Sequence, residues 1–188
     1  RFNEQPENLD VALRRTDANV QSHLAISELL SGLNFDNSLR KHFEVKTGDK
    51  SLLKITRPPR ATFVAQMDKV FARSRHRSDR LAEILTQVTP QFSYWSAVTG
   101  LHPSKTPKSI ELLNIAVHLA MLITHQAKFA LACPRPVDYS AAVQPVILTP
   151  PYDAFPMGHA AEAYTVALVA TVMFGVSADD AMSKQLFR

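Results

Sequence analysis

A single cysteine, Cys133, excludes a disulfide framework in this chain of 188 residues. No run of 18 apolar residues occurs, so no transmembrane helix is expected. No His/Cys spacing resembles a zinc site, and there is neither an internal repeat nor a low-complexity tract. Charge of one sign is not in large excess: 21 Lys and Arg stand against 17 Asp and Glu, a formal +4. That balance suits small anionic ligands and gives no argument for nucleic acid. The basic run Arg73-Ser-Arg-His-Arg77, with Arg80, has no aromatic residues interleaved, so it reads as a wet helix face or an oligomer contact. The length fits one domain with a core of its own, 1–188, and a homo-oligomer is compatible with it. The first residue is Arg1 and not Met, so a processed, trimmed or partly observed chain is expected, cytoplasmic or exported.

What is present is mostly helical periodicity. Val20, Leu24, Leu29 and Leu30 fall on one helical face, with Thr16 or Asp17 as cap. Phe63, Val64, Met67, Val70 and Phe71 follow at helical offsets after Pro58-Pro59. Leu81, Ile84, Leu85 and Val88 repeat the pattern before Pro90, and Gly100 closes the aromatic segment Phe92-Ser-Tyr-Trp95. The longest helix is expected from Thr106, with Pro107 in its first position, to about Cys133, where Pro134 stops it. Its polar interior (Glu111, Asn114, His118, His125, Gln126, Lys128) marks a central, partly buried bundle helix. Met67, Met121 and Met173 read as core. Six of the twelve prolines then fall between Pro134 and Pro156, which excludes regular helix there. An ordered loop is expected, anchored by Val143, Val146, Ile147 and Leu148. Helix resumes from Gly158 to Gly175, and another begins at Ser177 and is still running at Arg188. The expected fold is all-α, a helical bundle, with its motif-bearing part at about 106–175.

One constellation carries chemistry. Lys128, in the last turn of the long helix, precedes Arg135-Pro136 by seven residues, and Pro156-Met157-Gly158-His159 opens the next helix. A compact ammonium and a planar guanidinium both suit phosphate-like oxygens. A helix starting at Gly158 presents free N–H groups and the positive end of its dipole, and glycine lets an oxyanion come close. His159 has the chemistry of a proton donor or acceptor near neutral pH.

These residues resemble a superfamily: type 2 phosphatidic acid phosphatases, bacterial non-specific acid phosphatases and vanadium-dependent haloperoxidases. Its pattern is Lys-x6-Arg-Pro, then Pro-Ser-Gly-His, then Arg-x5-His. Here the first stands as Lys128-Phe-Ala-Leu-Ala-Cys-Pro-Arg135-Pro136, the second as Pro156-Met157-Gly158-His159. The segments Asp79-Arg-Leu-Ala-Glu-Ile-Leu and Tyr94-Trp95 look nearer the bacterial haloperoxidase-like members. The resemblance implies that Lys128, Arg135 and the Gly158 amide bind equatorial oxygens of phosphate or vanadate, and that His159 is the general acid/base. Met157 replaces the pattern's serine, so a hydroxyl donor is missing and the pocket becomes drier. No Arg-x5-His string occurs, so the second His, nucleophile or axial vanadium ligand, is expected beyond Arg188, on a bundle truncated at its C-terminus. Lys128, Arg135 and His159 are expected to converge on one pocket.

Three readings follow. The first is a vanadium-dependent haloperoxidase-like enzyme, with vanadate as cofactor and halide and peroxide as substrates. The second is a phosphomonoesterase or lipid-phosphate phosphatase without cofactor. The third is a non-catalytic anion-binding relative. Weighed against site roles, Lys128 alone reads as a snorkelling helix-end lysine and Cys133 as a small buried hydrophobe; His118, His125 and Lys128 share a helix face, so His125 is either near the anion or a hydrogen-bonded core histidine. Asp138 and Glu162 either orient Arg135 and His159 or are solvated acids.

Overall fold

The structure is a computed structural model that describes residues 15–88, 92–177 and 179–187. The expected roles of Pro90 and Arg188 lie outside these residues. The element order is α1 (Ala18–Ser31), β1 (Asn34–Ser38), β2 (His42–Thr47), β3 (Lys50–Thr56), α2 (Arg60–Ala65), α3 (Met67–Ser74), α4 (Leu81–Thr86) and α5 (Phe92–Thr99). There follow α6 (Pro107–Leu131), a 3-10 turn (Pro136–Asp138), α7 (Gly158–Phe174) and α8 (Ala181–Leu186).

The all-α expectation is therefore wrong: the chain is mixed α/β, with a three-stranded antiparallel sheet in the order β1-β2-β3. The strands come from a stretch where helical periodicity is absent and period-2 alternation is present. In His42-Phe43-Glu44-Val45-Lys46, Phe43 and Val45 are buried, and Lys46 and the end of β2 turn outward. Register places Phe35 opposite Val45 and Phe43 opposite Ile55, which builds one apolar face across three strands. Gly48, at φ +53, supplies the left-handed residue of the β2–β3 turn.

That apolar face decides where the sheet goes. Phe43 and Val45 form a core with Ala127, Ala130, Leu131 and Cys133, joined by Phe35, Ile55, Phe63 and Phe155. A second core, Leu101, Leu113 and Val166 with Phe92, Trp95 and Met173, lies around the first half of α6. So α6, about 38 Å long at 1.5 Å per residue over 25 residues, is shared by two cores instead of crossing one helical bundle. It packs on α7, α1 and the sheet. By length and composition the segment Pro107–Asp138 is long and apolar enough to cross a membrane, with 28% of its apolar window buried. The lack of an 18-residue unbroken apolar run therefore does not by itself exclude a span.

Other expectations shift for local reasons. Asp17 is the α1 cap, accepting from the Asn19 N–H at 2.8 Å, but Val20, Leu24 and Leu29 are exposed and Ile26 is the buried residue. The stretch 63–71 is two helices, α2 and α3, interrupted at Gln66. In α4, Leu81 and Leu85 are exposed, as is Val88 beyond it. Met67 and Met121 are only half-buried. Gly100 follows α5 at φ +69 with its N–H on the Ser96 carbonyl. The last helix starts at Ala181, after Asp180 and not Ser177.

The end of α6 carries an unusual cap. Ala132 takes the left-handed conformation, φ 47, with its N–H on the Lys128 carbonyl at 2.9 Å. The sheet segment reaches three further carbonyls. The Arg40 N–H donates to Ala130 O at 2.7 Å, and the Arg57 guanidinium donates to Leu131 O at 2.7 Å and Ala132 O at 3.2 Å. These are the acceptors a helix C-terminus leaves without partners, met by a cation at the negative end of the dipole. Arg57→Ala should cost about 2 kcal/mol, which lowers the melting temperature by roughly 4–8 °C in a chain of this size. Thermal denaturation followed by circular dichroism checks this, and an unchanged melting temperature would remove Arg57 from the cap.

Candidate oxyanion site at the end of the long helix

Beyond the cap the chain turns back on itself. The Ala154 N–H donates to the Cys133 carbonyl at 2.9 Å, which ties the returning loop to the helix end. Lys128, only 4% exposed, donates from Nζ to the carbonyls of Asp153 at 3.0 Å and Ala154 at 3.1 Å. Arg135 donates from Nε to the Tyr152 carbonyl at 2.6 Å. The two cations thus do the anchoring expected of Val143, Val146, Ile147 and Leu148. Those four side chains line a cavity instead, and Leu148 is 93% exposed.

The cavity has a volume of about 540 Å³, within the ordinary size for small-molecule sites. Lys128, Arg135, Met157, Gly158 and His159 all line it, so the residues of both motifs meet across the twenty-odd residues of loop between them. A Cβ built on Gly158 would stand 3.9 Å from Lys128 Cε and 3.6 Å from Glu162 Oε1, which places the lysine stem and this carboxylate beside the start of α7. Met157 holds the cap position of α7 without a side-chain cap, and the first helical bond runs from Ala161 N to Met157 O. The N–H groups of Gly158, His159 and Ala160 are accordingly left without intrahelical acceptors. Met157 is 66% exposed, so it sits at the rim and does not dry the pocket.

Burial, and next the Arg135 charge, push the Lys128 ammonium below its ordinary pKa, while Asp153 and Glu162 act in the opposite direction. Two of its three N–H donors are used by carbonyls, and the Arg135 terminal nitrogens are not committed to protein acceptors among the described residues. Both side chains therefore keep donors for a ligand while holding the loop. Asp138 does not orient the Arg135 guanidinium: its carboxylate accepts the Arg135 backbone N–H at 2.7 Å. Glu162 lines the cavity and makes no hydrogen bond to His159 among the described residues.

Several contributors escaped the sequence reading. Tyr152 is the floor of the cation pair, with the Arg135 guanidinium 4.9 Å and Lys128 Nζ 5.4 Å from its ring centroid. His125 is no core histidine; it is exposed, packs against Tyr152 with the rings tilted and their centroids 4.8 Å apart, and lines the cavity, whereas His118 is not part of it. The basic run is not merely a wet face, since Arg73, His76, Arg77 and Arg80 belong to the cavity wall. Tyr152 lies in a proline-rich stretch without periodicity, so no local signal marks it. Cys133 is fully buried and its thiol is pushed up by burial, which keeps it unreactive.

A second group lies on the polar face of the sheet. Asp36, His42 and Glu44 bring one ligand atom each within 4.8 Å of one another, a set able to hold a metal ion. Asp36 is exposed, His42 half-buried and Glu44 buried. The sequence spacing hides this set because strand register, Asp36 opposite Glu44, makes the group. In the structure its charge is balanced by lysines: Lys46 lies 3.3 Å from Asp36 and 3.6 Å from Glu44, and Lys54 lies 3.3 Å from Glu44. A hydrogen bond from Ser51, with Lys54 and Lys46, holds the Glu44 carboxyl below its usual pKa despite burial.

No match exists among family models, curated proteins or solved structures. The haloperoxidase and phosphatase family labels that accompanied the all-α expectation therefore have no support in a mixed α/β chain without a matching relative.

The space around Gly158 yields a test that separates fold from site. A methyl group there meets only ordinary van der Waals distances, and alanine is the better helix former by about 0.5–1 kcal/mol. Gly158→Ala should leave the melting temperature unchanged or slightly raised while weakening phosphate binding measured by calorimetry. Equal affinity in the variant would mean that no anion approaches this amide.

Proposed function

We propose that this protein is an oxyanion-binding enzyme. In this reading Lys128 and Arg135 hold the oxygens of a tetrahedral anion, the free amides at the start of α7 add neutral donors, and His159 transfers a proton. One observation carries it: both motifs, separate in sequence, line a single cavity in which two cations retain unused donors. Preorganised donors in a partly desolvated site favour charge that develops in a transition state. Tyr152 holds the two cations in place, so little reorganisation accompanies binding.

The finer reading is halide oxidation by peroxide on bound vanadate, with phosphomonoester hydrolysis as the second. The donor set suits either anion, since both are tetrahedral oxyanions whose centre presents three equatorial oxygens when it becomes five-coordinate. Bound vanadate would supply the activation of peroxide. The chain's own residues bind and orient the anion and move a proton at His159. Parallel assays separate the readings: bromide or iodide oxidation with vanadate and peroxide, and phosphomonoester hydrolysis without them. Binding without either turnover supports the third reading, a non-catalytic anion binder.

Arg135→Ala should weaken phosphate or vanadate binding by about 2–4 kcal/mol, the scale of a lost charged partner in a sheltered site. His159→Ala should retain binding and lose turnover, because a general acid/base acts on the transition state. Calorimetric titration with steady-state assay decides both, and unchanged affinity in the first variant would remove Arg135 from the site.

The pH dependence has a definite sign. A bound anion favours protonated Lys128, so binding and protonation reinforce each other. The folded ammonium already titrates below its ordinary value. Affinity should therefore be greatest below that lowered pKa and fall as pH rises through it, earlier than an unperturbed lysine would allow. A phosphate affinity that rises as pH climbs through that lowered pKa would contradict the assignment.

A further inference from the structure

The cavity is much larger than the anion that its inner end is built to take. A five-atom oxyanion occupies on the order of 100 Å³, a few times the ~30 Å³ share of a water molecule, against about 540 Å³ available. The remaining wall is not neutral. Arg73 and Arg77, from the end of α3 and the turn after it, line it together with His76 and Arg80. Arg80 is paired with Glu83 at 3.1 Å, and Arg77 donates from Nε to the Ser74 carbonyl, whereas Arg73 has no acidic partner among the described residues. With Lys128 and Arg135, five Arg and Lys side chains line the cavity, and Glu162 is the one carboxylate among the described lining residues. Val143, Val146 and Ile147 supply an apolar strip on the same cavity.

An inorganic anion at Lys128 and Arg135 leaves the Arg73–Arg77 wall without counter-charge and the apolar strip without a partner. We infer that the ligand is an organic phosphate bearing a second anionic group, with an apolar spacer between the two. Its first anion sits at Lys128 and Arg135, and its second meets Arg73 and Arg77. Arginine is suited to that second role, because its planar fork takes oxyanions bidentately and sheds water more readily than an ammonium. This rests on the reading of the Lys128–Arg135 end as an oxyanion site.

The test is calorimetric titration of the full chain with inorganic phosphate, butylphosphonate and butane-1,4-bisphosphonate. Near physiological ionic strength, long-range attraction is screened beyond about 8 Å. The bisphosphonate should bind about tenfold tighter than the monophosphonate, the scale of one added charge-assisted contact. Arg73→Gln/Arg77→Gln should cut that advantage to about twofold, the statistical benefit of two equivalent ends, and leave monophosphonate affinity unchanged. Arg135→Ala should weaken both ligands. Arg73→Gln alone, at an exposed position, keeps the test decisive if the double variant does not fold. Monophosphonate binding without a bisphosphonate advantage, or an advantage that survives the glutamines, overturns the inference and leaves the oxyanion reading intact. Absence of binding by all three probes overturns both.

Discussion

The C-terminal end of α6 is the point on which the site depends. A 25-residue helix that stops beside a proline leaves several carbonyls facing the interior. Here they are taken by a left-handed Ala132, by the Arg40 N–H and by the Arg57 guanidinium. The sheet is thereby fastened to the helix end from one side. The Phe43–Val45 core fills the space between them, and burying that apolar surface contributes the main driving force. With the helix end held, Lys128 is fixed one turn before it and Arg135 just after it. The two cations then point at the same loop.

A charged group is costly to bury, and the structure resolves that cost by making the cations structural as well as receptive. Lys128 is buried against two loop carbonyls, which offset its lost hydration. Arg135 is held against the Tyr152 carbonyl and ring. The loop between Pro134 and Pro156 forms only short-range turns of its own, such as Tyr139 N–H to Pro136 O and Val143 N–H to Ser140 O, since its prolines lack a donor. The enclosed Lys128 and Arg135 side chains add the bonds that fix its returning half, at Tyr152, Asp153 and Ala154. The same arrangement explains the lowered proton affinity of Lys128, because desolvation and a neighbouring guanidinium both disfavour its charge.

The sheet's polar face shows the opposite balance. Asp36, Glu44, Lys46 and Lys54 neutralise one another across adjacent strands, with His42 at 3.9 Å from Asp36. Such cross-strand pairs are ordinary contributors to sheet stability. The set can hold a cation, but in the structure its acceptors already face lysines. The cavity at α6 and α7 is the reverse case: basic groups exceed acidic ones along its wall, and their donors are only partly used.

The chain's local chemistry was sufficient to locate α6 and α7, the Pro107 start, the Gly100 and Gly175 ends and the two short motifs. These depend on neighbours within a few residues, through capping, proline sterics and helical spacing. Residues 34–56 carry no helical periodicity, and their period of two is the signal of strands. The alternation around Phe43 and Val45 was legible, but its apolar face gained meaning only by meeting Leu131 and Cys133. Met157, Gly158 and His159 are readable as a motif, and His125 as sharing a helix face with Lys128, while Tyr152, Arg73 and Arg77 are not readable as their companions. Arg73 and Arg77 reach the cavity from one distant segment and Tyr152 from another, and no spacing along the chain encodes that. The carboxylates and imidazole on the sheet were hidden for the same reason, since strand register, and not sequence distance, places Asp36 beside Glu44. What the sequence determined by itself was set by short-range sterics and hydrogen bonding. What the tertiary structure decided was which charges are desolvated together, because that follows from how the sheet and loop close over the end of one helix.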